Sequence, residues 1–249
     1  MKFRIPALLL AAGGIAIFGF VLDAPSVPKL QQLASFSTSL DGRMNSQRHN
    51  AELGLSKLNG YIIAPGETFS FNKVVGTCSR DQGYRKAPVS YNGQLVASWG
   101  GGVCQTSTTL YNTALLAGME IVERNRHRFA PSYVPPGRDA AVAFDSIDLK
   151  FRNPYPFPVR LRGHASNERL TIELVGNRPP AERPQIVQDV RQVRSPRLVE
   201  FGTRPGKPHL RNSGKAGYEV ATYRIMGGRK ELLSTDSYPA MHKIVEYRH

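Results

Sequence analysis

Cysteine is scarce in this chain: its 249 residues include only Cys78 and Cys104. Neither cysteine belongs to the closely spaced ligand pairs that hold metals in proteins, so the sequence predicts no metal and no cofactor. The chain also lacks alternating strands and helices, which argues against a parallel sheet. Its composition, 41% hydrophobic and 9% aromatic, is that of a folded protein rather than a disordered or fibrous one.

A long uncharged run occurs at the start of the sequence, from Ile5 to Leu22, after Lys2 and Arg4. Its length of about 27 Å is close to the roughly 30 Å of a bilayer core, and its basic flank is typical of export. Leu22 and Pro25 would flank a cleavage site poorly, so we favour a membrane anchor over residues 1–24, with a removed signal peptide as the alternative. Either reading places the rest of the chain in the cell envelope, on the extracytoplasmic side of the membrane, or outside the cell.

Acidic residues are few, with 19 Asp and Glu against 33 Lys and Arg, and the formal net charge is +14. Such a chain is attracted to anionic surfaces. Export and the lack of a basic helix with interleaved aromatic residues argue against nucleic acid. We therefore expect cell-wall peptidoglycan or an anionic envelope polymer as the partner, and the membrane through the N-terminal segment.

The rest of the chain divides by composition. Residues 25–59 are predicted to hold a linker and a helix around Ser46 to Leu58. Asn92-Gly93 lies between two strand-like stretches and predicts a hairpin. A second helix is predicted from Gln105 to Leu116, with Gly118 ending it and a cap supplied by one of the residues Thr106, Ser107 and Thr108.

Strand-like stretches separated by Pro or Gly follow this second helix, including "RDAAVAFDSIDLKFRN", "FPVRLRGHAS" and "ERLTIELVG". A helix followed by a run of strands predicts an α+β fold, in which the helix that carries Cys104 packs on a mostly antiparallel sheet. Residues 179–249 are predicted to form a linker and a small β-rich extension.

The stretch "WGGGVCQTSTTLYN" contains the main candidate for chemistry, Cys104, at the predicted start of the second helix. A helix N-terminus lowers the pKa of a thiol, and glycine backbone lets a substrate approach closely. His127 follows as a candidate base and Asp139 as the group that orients it. The order of elements resembles that of transglutaminase-like and papain-like enzymes, as an analogy in chemistry only.

Other interpretations of these residues remain open at this point. Cys104 is also compatible with a tightly packed small residue, or with a disulfide to Cys78 that closes a loop of roughly 26 residues. His127 lies among arginines and is also compatible with a solvated basic residue. Metal binding by Cys104, His127 and Asp139 lacks the usual ligand spacing.

Five stretches in the same order resemble the VanW-like family, which is named for an accessory member of glycopeptide-resistance clusters. They are "GETFSFNKVVG", "GYRKAPV", "GGGVCQTSTTLYNTALLAGMEIVERNRH", "YVPPGRDAAVAF" and "DLKFRNPYPFPVRL". The resemblance indicates a VanW-like domain over residues 60–178. It implies an exported or membrane-anchored bacterial envelope protein.

The resemblance also carries over to individual residues. The family's glycines and cysteine fall on Gly100 to Cys104, its histidine on His127, and its Arg-Asp pair on Arg138 and Asp139. Other matching residues are Gln105, Tyr111, Asn112 and Asp148. The pattern has no cysteine at Cys78, which implies a role for Cys104 that needs no disulfide.

Two functions follow as hypotheses. The first is a cysteine-dependent acyl transferase or amidase acting on peptidoglycan peptide, with Cys104 as nucleophile, His127 as acid and base, and Asp139 or Asp148 orienting His127. The second is a binding module for cell-wall peptide or glycan that needs no thiol chemistry. The candidate substrate-binding residues are Gly100, Gly101, Gly102, Gln105, Trp99, Tyr111, Tyr133 and Arg138.

Overall fold

The structure, a computed structural model, describes residues 29–91, 94–202 and 206–248. Within these ranges the chain forms three helices and fifteen strands. The helices are α1 Asn45–Leu58, α2 Phe71–Val75 and α3 Val103–Leu116. The strands are β1 Gln31–Ser39, β2 Ile62–Ile63, β3 Thr68–Ser70, β4 Lys86–Tyr91, β5 Gln94–Trp99, β6 Glu120–Glu123, β7 Lys150–Arg152, β8 Val159–Ala165, β9 Arg169–Gly176, β10 Gln185–Arg194, β11 Leu198–Phe201, β12 Lys207–Lys215, β13 Gly217–Met226, β14 Arg229–Tyr238 and β15 Met241–Arg248.

The main core lies between helix α3 and the sheet of order β1-β9-β8-β2, whose pairings are all antiparallel. Side chains alternate along β9, and Leu170, Ile172 and Leu174 are fully buried on one face. On β8, Val159 and Leu161 are buried while the arginines between and after them are exposed. This alternation with a period of two fixes the register of the sheet against the core.

Helix α3 is the central element, and almost all of its residues are buried although many carry hydroxyl groups. Thr109 and Thr113 donate hydrogen bonds to the carbonyls one turn earlier, and Ser107 donates to the Ala140 carbonyl at 2.7 Å. Buried hydroxyls with such partners avoid the desolvation cost of an unpaired polar group. The polar helix therefore packs inside the domain and presents its N-terminus to the site described below.

The glycines before α3 allow close packing around this N-terminus. Gly102 caps the helix with φ of 113°, and a Cβ added there would lie 2.3 Å from the carbonyl oxygen of Gln47 in α1. A Cβ on Gly100 would lie 2.5 Å from the Cβ of Cys78. The helix cap is thus Gly102, and the predicted cap at Thr106, Ser107 or Thr108 is wrong.

Strands β10 to β15 form the C-terminal extension, defined here as residues 185–248. Its two sheets have the orders β10-β13-β14 and β11-β15-β12, and β11 pairs with β15 in parallel. Tyr238 and Val220 of the extension are buried. Gln188 donates to the Pro136 carbonyl and Arg224 donates to the Met119 carbonyl, so the extension packs against the loops beside α3.

The α+β prediction, with a papain-like or transglutaminase-like order of elements, is wrong. Over the residues that the structure describes, the protein is mostly antiparallel β-sheet, with 47% strand and 16% helix. The strands are divided among five small sheets in the described ranges, rather than joined in one sheet under the Cys104 helix. Much of "RDAAVAFDSIDLKFRN", predicted as a strand, is loop held by the isolated bridges Asn125–Ala141 and Ala143–Ile147, because its backbone pairs locally instead of joining a sheet.

Other local predictions agree with the structure. The helix predicted around Ser46 to Leu58 is α1, and the hairpin predicted at Asn92-Gly93 is the antiparallel pair β4 and β5. Gly118 follows the end of α3 with φ of 71°. The predicted anchor over residues 1–24 lies outside the described residues. In the part of the chain that is described, no helix is long and apolar enough to cross a membrane.

We expect Gly102→Ala to destabilise the fold by more than about 2 kcal/mol, because left-handed backbone costs an alanine about 1–2 kcal/mol and the new Cβ also collides with the Gln47 carbonyl. Urea unfolding measures this loss. Gly42→Ala is the matched control, since Gly42 has φ of 68° but no atom within 4 Å of an added Cβ. Equal losses in both variants would contradict the packing role of Gly102.

Candidate active site

Cys104 is the second residue of α3 and lies in its first turn, half-buried. Its thiol lies 3.5 Å from the Val142 carbonyl oxygen. First-turn N–H groups have no acceptor within a helix. Among the described residues the Cys104 N–H donates to no other group. The N–H groups of Val103 and Gln105 donate to Gly100 and Gly102, so the sulfur is next to one unpaired backbone donor, its own N–H, at the positive end of the helix dipole.

His127 and Asp139 meet in the loops that follow β6. The Nδ1 atom of His127 lies 2.7 Å from Oδ2 of Asp139, and the His127 backbone N–H donates to the same oxygen at 2.7 Å. This pair of contacts fixes the orientation of the imidazole ring. The other side of the ring is in hydrogen-bond contact with the Cys104 thiol.

These three groups favour one another's charged forms. Burial raises the pKa of the Cys104 thiol, but the hydrogen bond and charge of His127 lower it, and the pKa lies below its ordinary value. Burial lowers the pKa of His127, yet its hydrogen bonds to Asp139 and Cys104 raise the pKa to about 10. Burial opposes ionisation of Asp139, but His127 and Arg124 lower its pKa to about 2. At neutral pH the arrangement favours a thiolate and an imidazolium backed by a carboxylate.

The Asp139 carboxylate is completely buried and has two further partners. Arg124 donates to Oδ1 at 2.9 Å and to the Asp139 carbonyl at 2.6 Å. The hydroxyl of Tyr238, from β14 of the C-terminal extension, donates to Oδ1 as well and accepts the Gly137 N–H at 3.0 Å.

Arg124 joins this carboxylate to a second one. Its Nη1 donates to both oxygens of Asp236 at 2.6 Å, and both side chains are nearly inaccessible to solvent. Asp236 and Tyr238 are both on β14. The C-terminal extension therefore supplies two of the groups that hold Asp139 and its guanidinium partner in place.

A cavity of about 290 Å³ opens beside the thiol and is lined by Cys104 and His127. Of the predicted substrate-binding residues, the structure brings Gly100, Gly101, Gly102, Gln105 and Tyr133 to this cavity. The amide nitrogen of Gln105 donates to Thr38 at 3.0 Å and to the Ser39 carbonyl at 2.6 Å. These bonds occupy the amide donors that could otherwise serve an oxyanion.

Three other predicted substrate-binding residues do not line the cavity. Trp99 is on the hairpin, 38% exposed, with the Lys86 ammonium over its ring at 5.5 Å. Tyr111 is buried in the core under the Arg124 guanidinium. Arg138 is held by a hydrogen bond to the Asn112 side chain and stacks over the Phe36 ring at 5.6 Å.

Asp148, the alternative partner for His127, lies elsewhere. Its carboxylate accepts hydrogen bonds from Ser70 at 2.6 Å and from the Asn72 N–H at 2.9 Å. It thereby stabilises the start of α2. Both cysteines are free thiols, and no cluster of metal ligands is found among the described residues.

Sequence reasoning did not select Arg124, Asp236, Tyr238 or the cations that line the cavity, Arg43 and Lys215. Arg124 belongs to the basic run "ERNRHR", where nothing distinguishes a buried arginine from a solvated one. Tyr238 is 99 residues from Asp139 in the chain, so no local sequence pattern connects the two residues. The single available signal is the resemblance itself, which includes Arg124 within a matching stretch.

Comparison with known proteins identifies the family to which this chain belongs. The family described as VanW like protein matches residues 46–175, just over half of the chain, so the chain belongs to the VanW-like family and the resemblance seen in the sequence is confirmed. The uncharacterized protein YoaR of Bacillus subtilis (strain 168) is 40% identical over 144 residues, which are 58% of this chain and 48% of YoaR.

A second relative is the vancomycin B-type resistance protein VanW of Enterococcus faecalis (strain ATCC 700802 / V583). It is 31% identical over 136 residues, which are 53% of this chain and 50% of VanW. This chain therefore spans about half the length of the curated relatives it matches. The solved structure of HP0197-G5 aligns with 28% of this chain and 100% of its own, at 20% identity and a TM-score of 0.17, which carries no argument on the fold.

We expect Asp139→Asn to lower the pKa of His127 from about 10, because the imidazolium loses its ionic partner. His127 then gives up its proton at a lower pH, and less of Cys104 is thiolate at pH 7. An NMR titration of the imidazole measures the shift. Asp145→Asn is the matched control, because it removes one carboxylate from an exposed position. The backbone of Asp145 has φ of 64°, a conformation that asparagine tolerates. A pKa of His127 that is unchanged in Asp139→Asn would contradict the pairing.

Proposed function

We propose that this protein is an extracytoplasmic enzyme of the bacterial cell envelope, a cysteine-dependent acyl transferase or amidase that acts on the peptide of peptidoglycan. The observation that carries the proposal is the hydrogen-bonded series of Cys104, His127 and Asp139 at one cavity. In this series Cys104 and His127 are the catalytic residues, and Asp139 is a positioning residue. A nucleophile, a base and a group that orients the base are the requirements for covalent catalysis.

The first half of the reaction forms an acyl-enzyme. The Cys104 thiolate attacks an amide carbonyl carbon, so a C–S bond forms and the carbonyl oxygen gains negative charge. When the C–N bond then breaks, the His127 imidazolium gives its proton to the leaving amine. The products of this half are a free amine and a thioester on Cys104.

The second half releases the enzyme. An acceptor amine in a transferase, or water in an amidase, attacks the thioester carbon, and neutral His127 takes the proton of this nucleophile. Cleavage of the C–S bond returns the thiolate, with His127 protonated again. Each proton that leaves His127 is thus recovered within one turnover.

The backbone at the start of α3 supports this reaction. The unpaired N–H of Cys104 is a donor beside the sulfur, where the oxygen of an attacked carbonyl would develop charge. Because the side-chain amide of Gln105 is engaged by β1, the oxyanion is assigned to this backbone donor instead. Gly101 and Gly102 contribute backbone to the wall of the cavity beside the sulfur.

The envelope setting rests on three observations. The N-terminal uncharged run is typical of export, the net charge of +14 suits an anionic wall polymer, and one relative is named a vancomycin B-type resistance protein.

The thiolate can be measured by alkylation with iodoacetamide between pH 5 and pH 10, followed by mass spectrometry of the Cys104 peptide. We expect Cys104 to react well below the free-cysteine pKa of about 8.5, and His127→Ala to move this reactivity to higher pH, because the thiol then keeps the burial that raises its pKa and loses the hydrogen bond and charge of His127 that lower it. Cys78 is the internal control, since burial raises its pKa. Equal reactivity of the wild type and His127→Ala at pH 6 would contradict the proposal.

Turnover tests the reaction itself. We expect Cys104→Ala to abolish amide cleavage or transfer on isolated peptidoglycan fragments, measured by mass spectrometry, because this change removes the thiol that is hydrogen-bonded to His127. Activity of the wild type should also fall as the pH rises through about 10, where the imidazolium loses the proton needed by the leaving amine. Cys78→Ala serves as the control. Undiminished turnover in Cys104→Ala would rule out thiol catalysis.

A further inference from the structure

The cavity beside Cys104 is lined by positive charge. Arg43, Arg128 and Lys215 line it, and no Asp or Glu is among the described residues that do. The protonated form of His127 adds a further positive charge at the same site. A low-dielectric concavity of one sign attracts ligands of the opposite sign.

Arg43 and Lys215 are held in place by different parts of the chain. The Arg43 guanidinium, between β1 and α1, lies over the Tyr133 ring at 4.8 Å from its centre. The Lys215 ammonium, at the end of β12, donates to the Ala130 carbonyl at 3.2 Å. Both groups therefore have neutral partners that position the charge without cancelling it.

The two cations also interact with each other. Lys215 is exposed at the rim of the cavity; its partial desolvation there lowers its pKa, and the charge of Arg43 lowers it further. Like charges held close together repel, and an anion bound between them removes that cost. The arrangement is the one expected for a site that receives an anionic group.

We propose that Arg43 and Lys215 form a carboxylate subsite, which selects acyl donors that carry a free carboxylate within one or two residues of the amide attacked by Cys104. This inference rests on the proposed function and adds the substrate class. The short separation follows from the size of the cavity, since about 290 Å³ is at the lower end of ligand pockets and holds only a small fragment beside the sulfur.

Both cations lie outside residues 46–175, the part of the chain that matches the family. Arg43 precedes this part, and Lys215 belongs to the C-terminal extension. The segments that flank the family domain thus supply the two cations of the proposed subsite, while the family domain supplies Arg128, Cys104, His127 and Asp139.

Iodoacetate and iodoacetamide test this subsite directly, because they deliver the same carbon to a thiolate and differ in the neighbouring carboxylate. The measurement is the ratio of their alkylation rates at Cys104 in the full chain at pH 7, read by mass spectrometry of the Cys104 peptide. We expect this ratio to fall about three- to ten-fold in Lys215→Gln and in Arg43→Gln, and further in Lys215→Glu. Added salt should lower the ratio in the wild type.

Lys207→Gln is the matched control. Lys207 is on the same strand as Lys215 and carries the same charge, but it lies eight residues away, about 25 Å along an extended strand. We expect the rate ratio in Lys207→Gln to equal that of the wild type. An equal fall in Lys207→Gln and Lys215→Gln would overturn the subsite in favour of a general effect of net charge.

The outcomes separate the two proposals. If Cys104 reacts with iodoacetamide as a thiolate but the ratio is unchanged in Lys215→Gln, Lys215→Glu and Arg43→Gln, the carboxylate subsite is wrong and the proposed function stands. If Cys104 reacts with neither reagent at pH 7, both proposals are wrong. A fall confined to the cavity variants supports the subsite.

Discussion

The buried carboxylate of Asp139 is the constraint on which the site depends. An ionised carboxylate without solvent is costly unless its oxygens accept several hydrogen bonds from charged or polar donors. Here His127, Arg124 and Tyr238 provide those donors, and they come from two parts of the chain, the loop after β6 and the end of β14. The hydrogen bonds to the Asp139 carboxylate therefore orient the imidazole of His127 and also hold the C-terminal extension against the loops beside α3.

Helix α3 sets the other half of the geometry. Because its hydroxyls bond to carbonyls of the helix and of neighbouring loops, a polar sequence is stable in the interior and brings its N-terminus to the imidazole. Gly102 permits the close approach of α1 that this burial requires. The position of the Cys104 thiol is thus a result of packing as much as of its immediate partners.

Sequence reasoning selected residues that the structure brings together at one place, but it did not predict the arrangement of the sheets. The glycines, Cys104, His127 and Asp139 could be selected because glycine and a helix start are local signals and the family resemblance extends through them. The order of strands in the sheets could not be predicted, because pairings such as β1 with β9 join residues far apart in sequence. The alternation of apolar and polar residues identifies a strand but does not show which strand it pairs with. Trp99 and Tyr111 were selected as aromatic residues, yet one is on a hairpin surface and the other in the core, because residue type alone does not distinguish these environments.

The distance in sequence between Asp139 and Tyr238 also has a consequence for biosynthesis. At a synthesis rate of about 5–20 residues per second, the 99 residues between them take roughly 5–20 s to emerge. During that interval the family domain has its thiol and imidazole but lacks the last donor to the buried carboxylate. The hydrogen bonds to the Asp139 carboxylate are therefore complete only after Tyr238 has been synthesised and β14 has reached the loops beside α3.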